Sequence, residues 1–105
     1  MTKIYEGKRL NGSASVTVNG APLAPRNDLR NHSPDGFEWG YGGSGPAQLA
    51  LAICADSLGD DRRALSVYQE FKFRMIAPIQ EGEWTLTGET VRETIAEIET
   101  EMRAA

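Results

Sequence analysis

The sequence predicts an α+β fold, with a small antiparallel sheet of three to five short strands packed with two or three helices. The strand-like segments of the N-terminal half lie before Gly42, and segments with helical spacing of apolar residues follow Gly45. Strands and helices segregated in this way favour an antiparallel sheet with helices packed against it. The chain has 105 residues, the size of one domain with one core, so we predict a single domain over residues 1–105.

The clearest local pattern is a β-hairpin near the N-terminus. Lys3–Leu10 and Ser13–Val18 flank Asn11-Gly12, a pair suited to the positive φ angles of a type I′ turn. Asn19-Gly20 predicts a second turn. The segment that follows contains two prolines, so it permits at most a short edge strand.

Three alternating aromatic residues come after a polar segment. This part of the chain is predicted to be a strand whose one face carries Phe37, Trp39 and Tyr41. Such a face is either core, which we favour in a chain of this size, or a stacking platform for nucleic-acid bases.

The first helix is predicted to run from Pro46 to about Leu58. Proline is tolerated at the first helical position, and Ser44 or Gly45 can serve as the cap. The helix has little polar surface, which indicates that it is central and buried. Gly59 is placed to end it in the left-handed conformation.

The second helix is predicted to follow a cap at Asp60 or Asp61 and to end before Pro78, because the residue preceding a proline avoids helical angles. Its apolar residues recur at spacings of three and four, at Leu65, Tyr68, Phe71 and Met75.

A short strand over Glu83–Leu86 and a third helix capped by Thr87 complete the prediction. The apolar stripe of this helix is Val91, Ile95, Ile98 and Met102. Glutamates also repeat every four residues, at Glu89, Glu93, Glu97 and Glu101. A solvated face is the interpretation that we favour for the glutamates, and an interaction surface is the alternative.

Composition excludes several classes of function. The net charge is −4, and residues 81–105 hold seven glutamates against two arginines, which argues against non-specific nucleic-acid binding. Cys54 is the only cysteine and His32 the only histidine, so we expect no internal disulfide, no metal site and no cofactor. No apolar run approaches the roughly 20 residues that cross a bilayer, and no secretory signal is evident, so we predict a cytoplasmic location without membrane contact.

Two stretches carry a family resemblance, Leu29–Pro34 and Phe37–Ala50, the second reading FEWGYGGSGPAQLA. They resemble a family of short, uncharacterised prokaryotic proteins that also occurs in phages and mobile elements. Ile4–Gly7 and Tyr68–Lys72 are similar to it too, so the resemblance is expected to extend to Trp84. It implies a compact accessory protein and implies no reaction, ligand or catalytic residue.

Two segments are candidates for binding an anion. Gly43, Ser44 and Gly45 precede a helix whose positive end favours negative charge, although the P-loop lysine is missing. The alternative is a tight turn that needs left-handed backbone angles. Arg30 and His32, in the polar segment before the aromatics, can bind phosphate and carry a proton.

The remaining reactive side chains favour structural interpretations. Ser44 lacks the spacing of a nucleophile elbow, and Cys54 lies within an apolar helix, where a thiol is inert. We therefore favour a non-enzymatic interaction protein that self-associates or binds a protein partner, such as a host factor. The alternative is a phosphate- or nucleotide-handling enzyme that uses Arg30, His32 and the turn over Gly42–Gly45.

Overall fold

The computed structural model describes residues 2–104, in which a four-stranded antiparallel sheet packs with three α-helices. The strands are β1 (Ile4–Leu10), β2 (Ser13–Val18), β3 (Ala21–Pro22) and β4 (Glu83–Thr87). They lie in the order β3-β2-β1-β4, so the last strand of the chain pairs with the first. The predicted α+β fold is confirmed.

The N-terminal hairpin forms as the sequence predicts. Asn11 and Gly12 have φ angles of 53° and 79°, and they join β1 to β2 with Leu10 opposite Ser13. The second pair, Asn19-Gly20, has φ angles of 50° and 83° and leads into β3, which has only two residues. Both turns need positive φ, which asparagine and glycine tolerate best.

The helices are α1 (Ser44–Leu58), α2 (Asp61–Phe71) and α3 (Gly88–Ala104), and a π-helical turn over Lys72–Ile76 continues α2. Gly59 ends α1 with a φ of 61°. The Asp60 side chain caps α2 by accepting from the Arg63 N–H at 3.2 Å, as predicted. The predicted cap of α1 at Ser44 or Gly45 is wrong, because the helix already begins at Ser44 and Gly43 takes the cap position.

The predicted Thr87 cap of α3 is confirmed, and the predicted apolar stripe is buried except at its last residue. Thr87 Oγ1 accepts from the Thr90 N–H at 3.1 Å and so caps the helix. Three members of the apolar stripe are buried and the fourth, Met102, is 48% exposed; the buried ones are Val91, Ile95 and Ile98.

The core lies between the sheet and the helices, with α1 at its centre. Tyr5 and Val16 point from the sheet into this core, and Leu86 packs against it. The other face of the sheet exposes polar side chains such as Glu6 and Thr85. Residues 45–55 of α1 are all buried, which explains why its sequence is apolar on nearly every side.

The strand predicted over residues 37–41 is wrong. The segment is irregular, and the Gly40 N–H donates to the Ile76 carbonyl at 3.1 Å instead of joining the sheet. Gly40 has a φ of 90°, which breaks the alternation of side chains. Trp39 is therefore buried and Phe37 packs against the core, whereas Tyr41 faces solvent, so the three rings form no common platform.

Candidate functional site

The glycine turn, Gly42–Gly45, lies where the irregular segment enters α1. A Cβ on Gly43 would come 2.3 Å from the Tyr41 ring, and one on Gly45 would come 2.6 Å from Glu38 Cβ. Gly43 itself has an extended φ of −92°. Close approach of neighbouring side chains therefore explains these two glycines, and the left-handed angles that we expected as the structural alternative do not occur in the turn.

Two exposed aromatic rings flank the turn. Tyr41 packs against Gly43 and is 52% exposed, and Phe73 lies against Gly42, where an added Cβ would sit 3.3 Å from its ring. Phe73 is 58% exposed. We call this set of four residues, Tyr41, Gly42, Gly43 and Phe73, the aromatic surface.

A buried lysine supports the aromatic surface from below. Lys72, in the π-helical turn, is only 6% exposed, and its Nζ donates to the Gly42 carbonyl oxygen at 3.2 Å. The same ammonium lies 4.2 Å from the centroid of the Phe73 ring, a cation–π contact. A buried charge needs such partners, so Lys72 fixes the positions of both Gly42 and Phe73.

A carboxylate of the protein lies beside the positively charged start of α1. The helix end and Lys72 supply positive charge. Glu38 packs against Gly45 at the same end and is ion-paired with Arg9, whose guanidinium stacks 4.3 Å above the Trp39 ring. A carboxylate of the protein thus already occupies the neighbourhood where an external anion would bind.

The polar segment between Arg26 and Ser33 is fixed by one buried amide. Gln48, fully buried in α1, accepts from the N–H groups of His32 at 2.8 Å and Ser33 at 3.2 Å, and donates to the Pro25 carbonyl at 2.6 Å. The segment is therefore attached to the core helix through its backbone. Sequence reasoning missed Gln48, whose one signal was a polar residue inside an apolar helix.

The predicted site residues of this segment point in different directions. His32 Nε2 lies 2.7 Å from the Tyr68 hydroxyl, and the rings pack 5.6 Å apart. Arg30 is exposed and donates to the Leu29 carbonyl at 2.8 Å. Within residues 2–104, no hydrogen bond connects either side chain to the glycine turn.

Other reactive groups have structural roles. Cys54 is fully buried, and burial raises the pKa of its thiol. Arg26 bridges Asp28 at 3.1 Å and Asp61 at 2.9 Å, contacts that raise its pKa. The described residues contain no cluster of histidine, cysteine or carboxylate side chains that could hold a metal. No helix among them is long and apolar enough to cross a membrane.

These features define a small α+β domain with an exposed aromatic surface beside the start of its buried helix. The chain belongs to a family of unknown function, DUF6166, whose model matches residues 5–97. The match includes the glycine turn and reaches into α3, beyond the limit at Trp84 that the resemblance implied. No curated protein and no solved structure matches the chain.

Proposed function

We propose that the protein is a non-enzymatic binding protein that contacts a protein partner through its aromatic surface. The observation that carries the proposal is the pairing of two exposed rings, Tyr41 and Phe73, on adjacent glycines of one turn. Exposed aromatic side chains on a rigid support are the residues that most often anchor protein interfaces.

The support beneath the rings is rigid, which favours binding. Gly42 is held by Lys72, and Gly43 begins the buried helix α1. Because the backbone beneath the rings is already held, less conformational entropy is lost when a partner covers them, and more of the contact energy appears as affinity.

The non-enzymatic part of the proposal is supported by how the candidate reactive groups are used. His32 contacts Tyr68, the Cys54 thiol lies in the core, and Arg30 donates to the Leu29 carbonyl. Each group thereby contributes to packing or to a structural contact. A host protein is the partner to test first, because the chain resembles short proteins of phages and mobile elements.

The test is affinity capture from a lysate of the source cells, with all captured proteins and nucleic acids quantified. We expect the wild type to retain one protein in stoichiometric amount. The double variant Tyr41→Ser, Phe73→Ser should lose that protein and stay folded, and loss of the Phe73 contact with Lys72 should lower the melting temperature by no more than about 8 °C.

A matched control changes the two other large exposed hydrophobic side chains of the described chain, Leu10 and Met102. Leu10→Ser, Met102→Ser should capture the partner as the wild type does. Capture that survives loss of both rings, or that fails equally in the control, contradicts the proposal.

A phosphate- or nucleotide-handling enzyme is the second candidate, and the Lys72 ammonium at the start of α1 is the observation that favours it. In that case phosphate or a nucleotide should raise the melting temperature by binding the folded state. Arg30→Ala and His32→Ala should then reduce the shift. If no member of a broad anion panel shifts the melting temperature, this candidate loses its main support.

A further inference from the structure

The two edge strands of the sheet differ in how strongly they discourage pairing with a further strand. At one edge β3 has only two residues, one of them Pro22, which cannot donate to a further strand. At the other edge β4 has five residues, and Trp84, Thr85, Leu86 and Thr87 are all good strand formers. The middle of β4 contains no proline, glycine or lysine that would discourage another strand.

The register shows which backbone groups of β4 are free. The Gly88 N–H donates to the Lys3 carbonyl at 2.7 Å, and the Arg9 N–H donates to the Gly82 carbonyl at 3.1 Å. Hydrogen-bonded pairs in an antiparallel ladder recur every second residue, so Trp84 and Leu86 bond to β1. The N–H and C=O groups of Glu83 and Thr85 therefore point away from the sheet, as does the N–H of Thr87, whose C=O accepts the first hydrogen bond of α3.

An open hollow of about 400 Å³ lies beside this edge. The half-buried side chains of Ile79, Trp84 and Leu86 line it together with Pro78. Trp84 and Leu86 are on the helix side of the sheet, where each second side chain of an added strand would also point. The hollow therefore suits apolar side chains at alternate positions of that strand.

The charges around the free edge of β4 indicate which side chains an added strand should carry. Glu81, Glu83 and Glu89 are exposed there, and none takes part in an ion pair within residues 2–104. Basic side chains would complement them. A second copy of this chain fits less well, because β4 carries Glu83 and no basic residue, so two antiparallel copies would bring together strands of like charge.

We propose that the free edge of β4 binds an extended segment of a partner protein as a fifth strand, with apolar side chains towards the helices and basic side chains on the opposite face. Backbone hydrogen bonds to Glu83, Thr85 and Thr87 supply the affinity, and the hollow and the glutamates supply the selectivity. The inference does not depend on the aromatic surface, which involves other residues.

The test is an NMR titration of the ¹⁵N-labelled protein with a heptapeptide of alternating lysine and valine. Its matched control is the heptapeptide of alternating glutamate and valine. We expect the lysine peptide to bind at least about tenfold more tightly. It should shift and protect from exchange the amides of Glu83, Thr85 and Thr87 while leaving those of Tyr41 and Phe73 unchanged.

Two variants separate edge pairing from general charge attraction. Thr85→Pro removes an N–H that bonds to nothing in the sheet, so the protein should stay folded and lose at least about tenfold in affinity for the lysine peptide. Glu83→Lys should reduce the preference for the lysine peptide. Glu97→Lys, on the exposed face of α3, is the charge control and should leave the preference unchanged.

Four outcomes overturn the inference. They are the absence of binding up to millimolar peptide, equal binding of both peptides, shifts centred on Tyr41 and Phe73, and protection of the β4 amides by dimerisation without peptide. The last result would assign the edge to a second copy of the chain. Failure here leaves the capture experiment on the aromatic surface unaffected, so the two proposals are tested separately.

Discussion

Gln48 shows how much one buried polar side chain determines in this protein. It satisfies three backbone groups of a segment that has no regular secondary structure, at Pro25, His32 and Ser33. Buried polar groups are costly unless they are hydrogen-bonded, so the amide and the segment depend on each other. The conformation of residues 25–33 therefore depends on α1 as well as on hydrogen bonds within the segment, such as that from Asn27 Nδ2 to Asn31 Oδ1.

Replacement of Gln48 by leucine tests this dependence. Gln48→Leu keeps the apolar volume and leaves three backbone groups without their partner, so the free energy of unfolding should fall by about 3 kcal/mol. Urea denaturation measures the loss. Gln80→Leu, at an exposed position, is the control, and a loss below about 0.5 kcal/mol in Gln48→Leu would refute the role of the amide.

The glycine turn gives a second prediction at the residue scale. Gly45→Ala places a methyl group against Glu38 in a buried position, so it should lower the free energy of unfolding by about 1 to 3 kcal/mol. Gly43→Ala meets the exposed Tyr41 ring, which is able to move, and should cost less. Thermal and urea unfolding compare both with Gly82→Ala, where an added methyl group meets open space. Equal losses in all three variants would contradict the packing account.

At the scale of elements, the sequence predicted the turns and helix ends that depend on neighbouring residues. The hairpin follows from Asn11-Gly12, the end of α1 from Gly59 and the start of α2 from the Asp60 cap. The irregular segment over residues 37–41 was not, because Gly40 and a hydrogen bond to Ile76 override the alternation of aromatic residues.

The apolar stripe of α3 gives a prediction about how this helix packs. Ile95 is buried against the core, so Ile95→Ala should lower the free energy of unfolding by about 2 to 5 kcal/mol at any protein concentration. Met102→Ala, at the exposed end of the same stripe, is the control and should change it little. Urea denaturation at two protein concentrations measures both. A small loss in Ile95→Ala that grows on dilution would show that the stripe packs against another chain instead.

At the scale of the whole molecule, contacts between residues far apart in the sequence connect the sheet to the helices. Asp56 of α1 accepts from the Tyr5 hydroxyl at 2.7 Å and from Lys3 Nζ at 3.0 Å, which ties β1 to the core helix. Burial and then the Asp56 carboxylate raise the pKa of Tyr5.

The candidate site depends on such distant contacts as well. The sequence indicated the glycine turn, but it did not indicate that Lys72 and Phe73 lie against it, because 30 residues separate Lys72 from Gly42. The pairing of β4 with β1 also joins residues that are far apart in the sequence. The residues of the turn were therefore predictable, and the surface that they form with the π-helical turn was not.

Site-specific photo-cross-linking in the source cells shows whether the aromatic surface contacts a protein partner. A photo-reactive phenylalanine analogue replaces Tyr41, Phe73, Leu10 or Met102, one position at a time, and all four positions are exposed. We expect one discrete cross-linked protein from positions 41 and 73 and none from positions 10 and 102. No cross-link from 41 or 73, or the same product from 10 and 102, would contradict it.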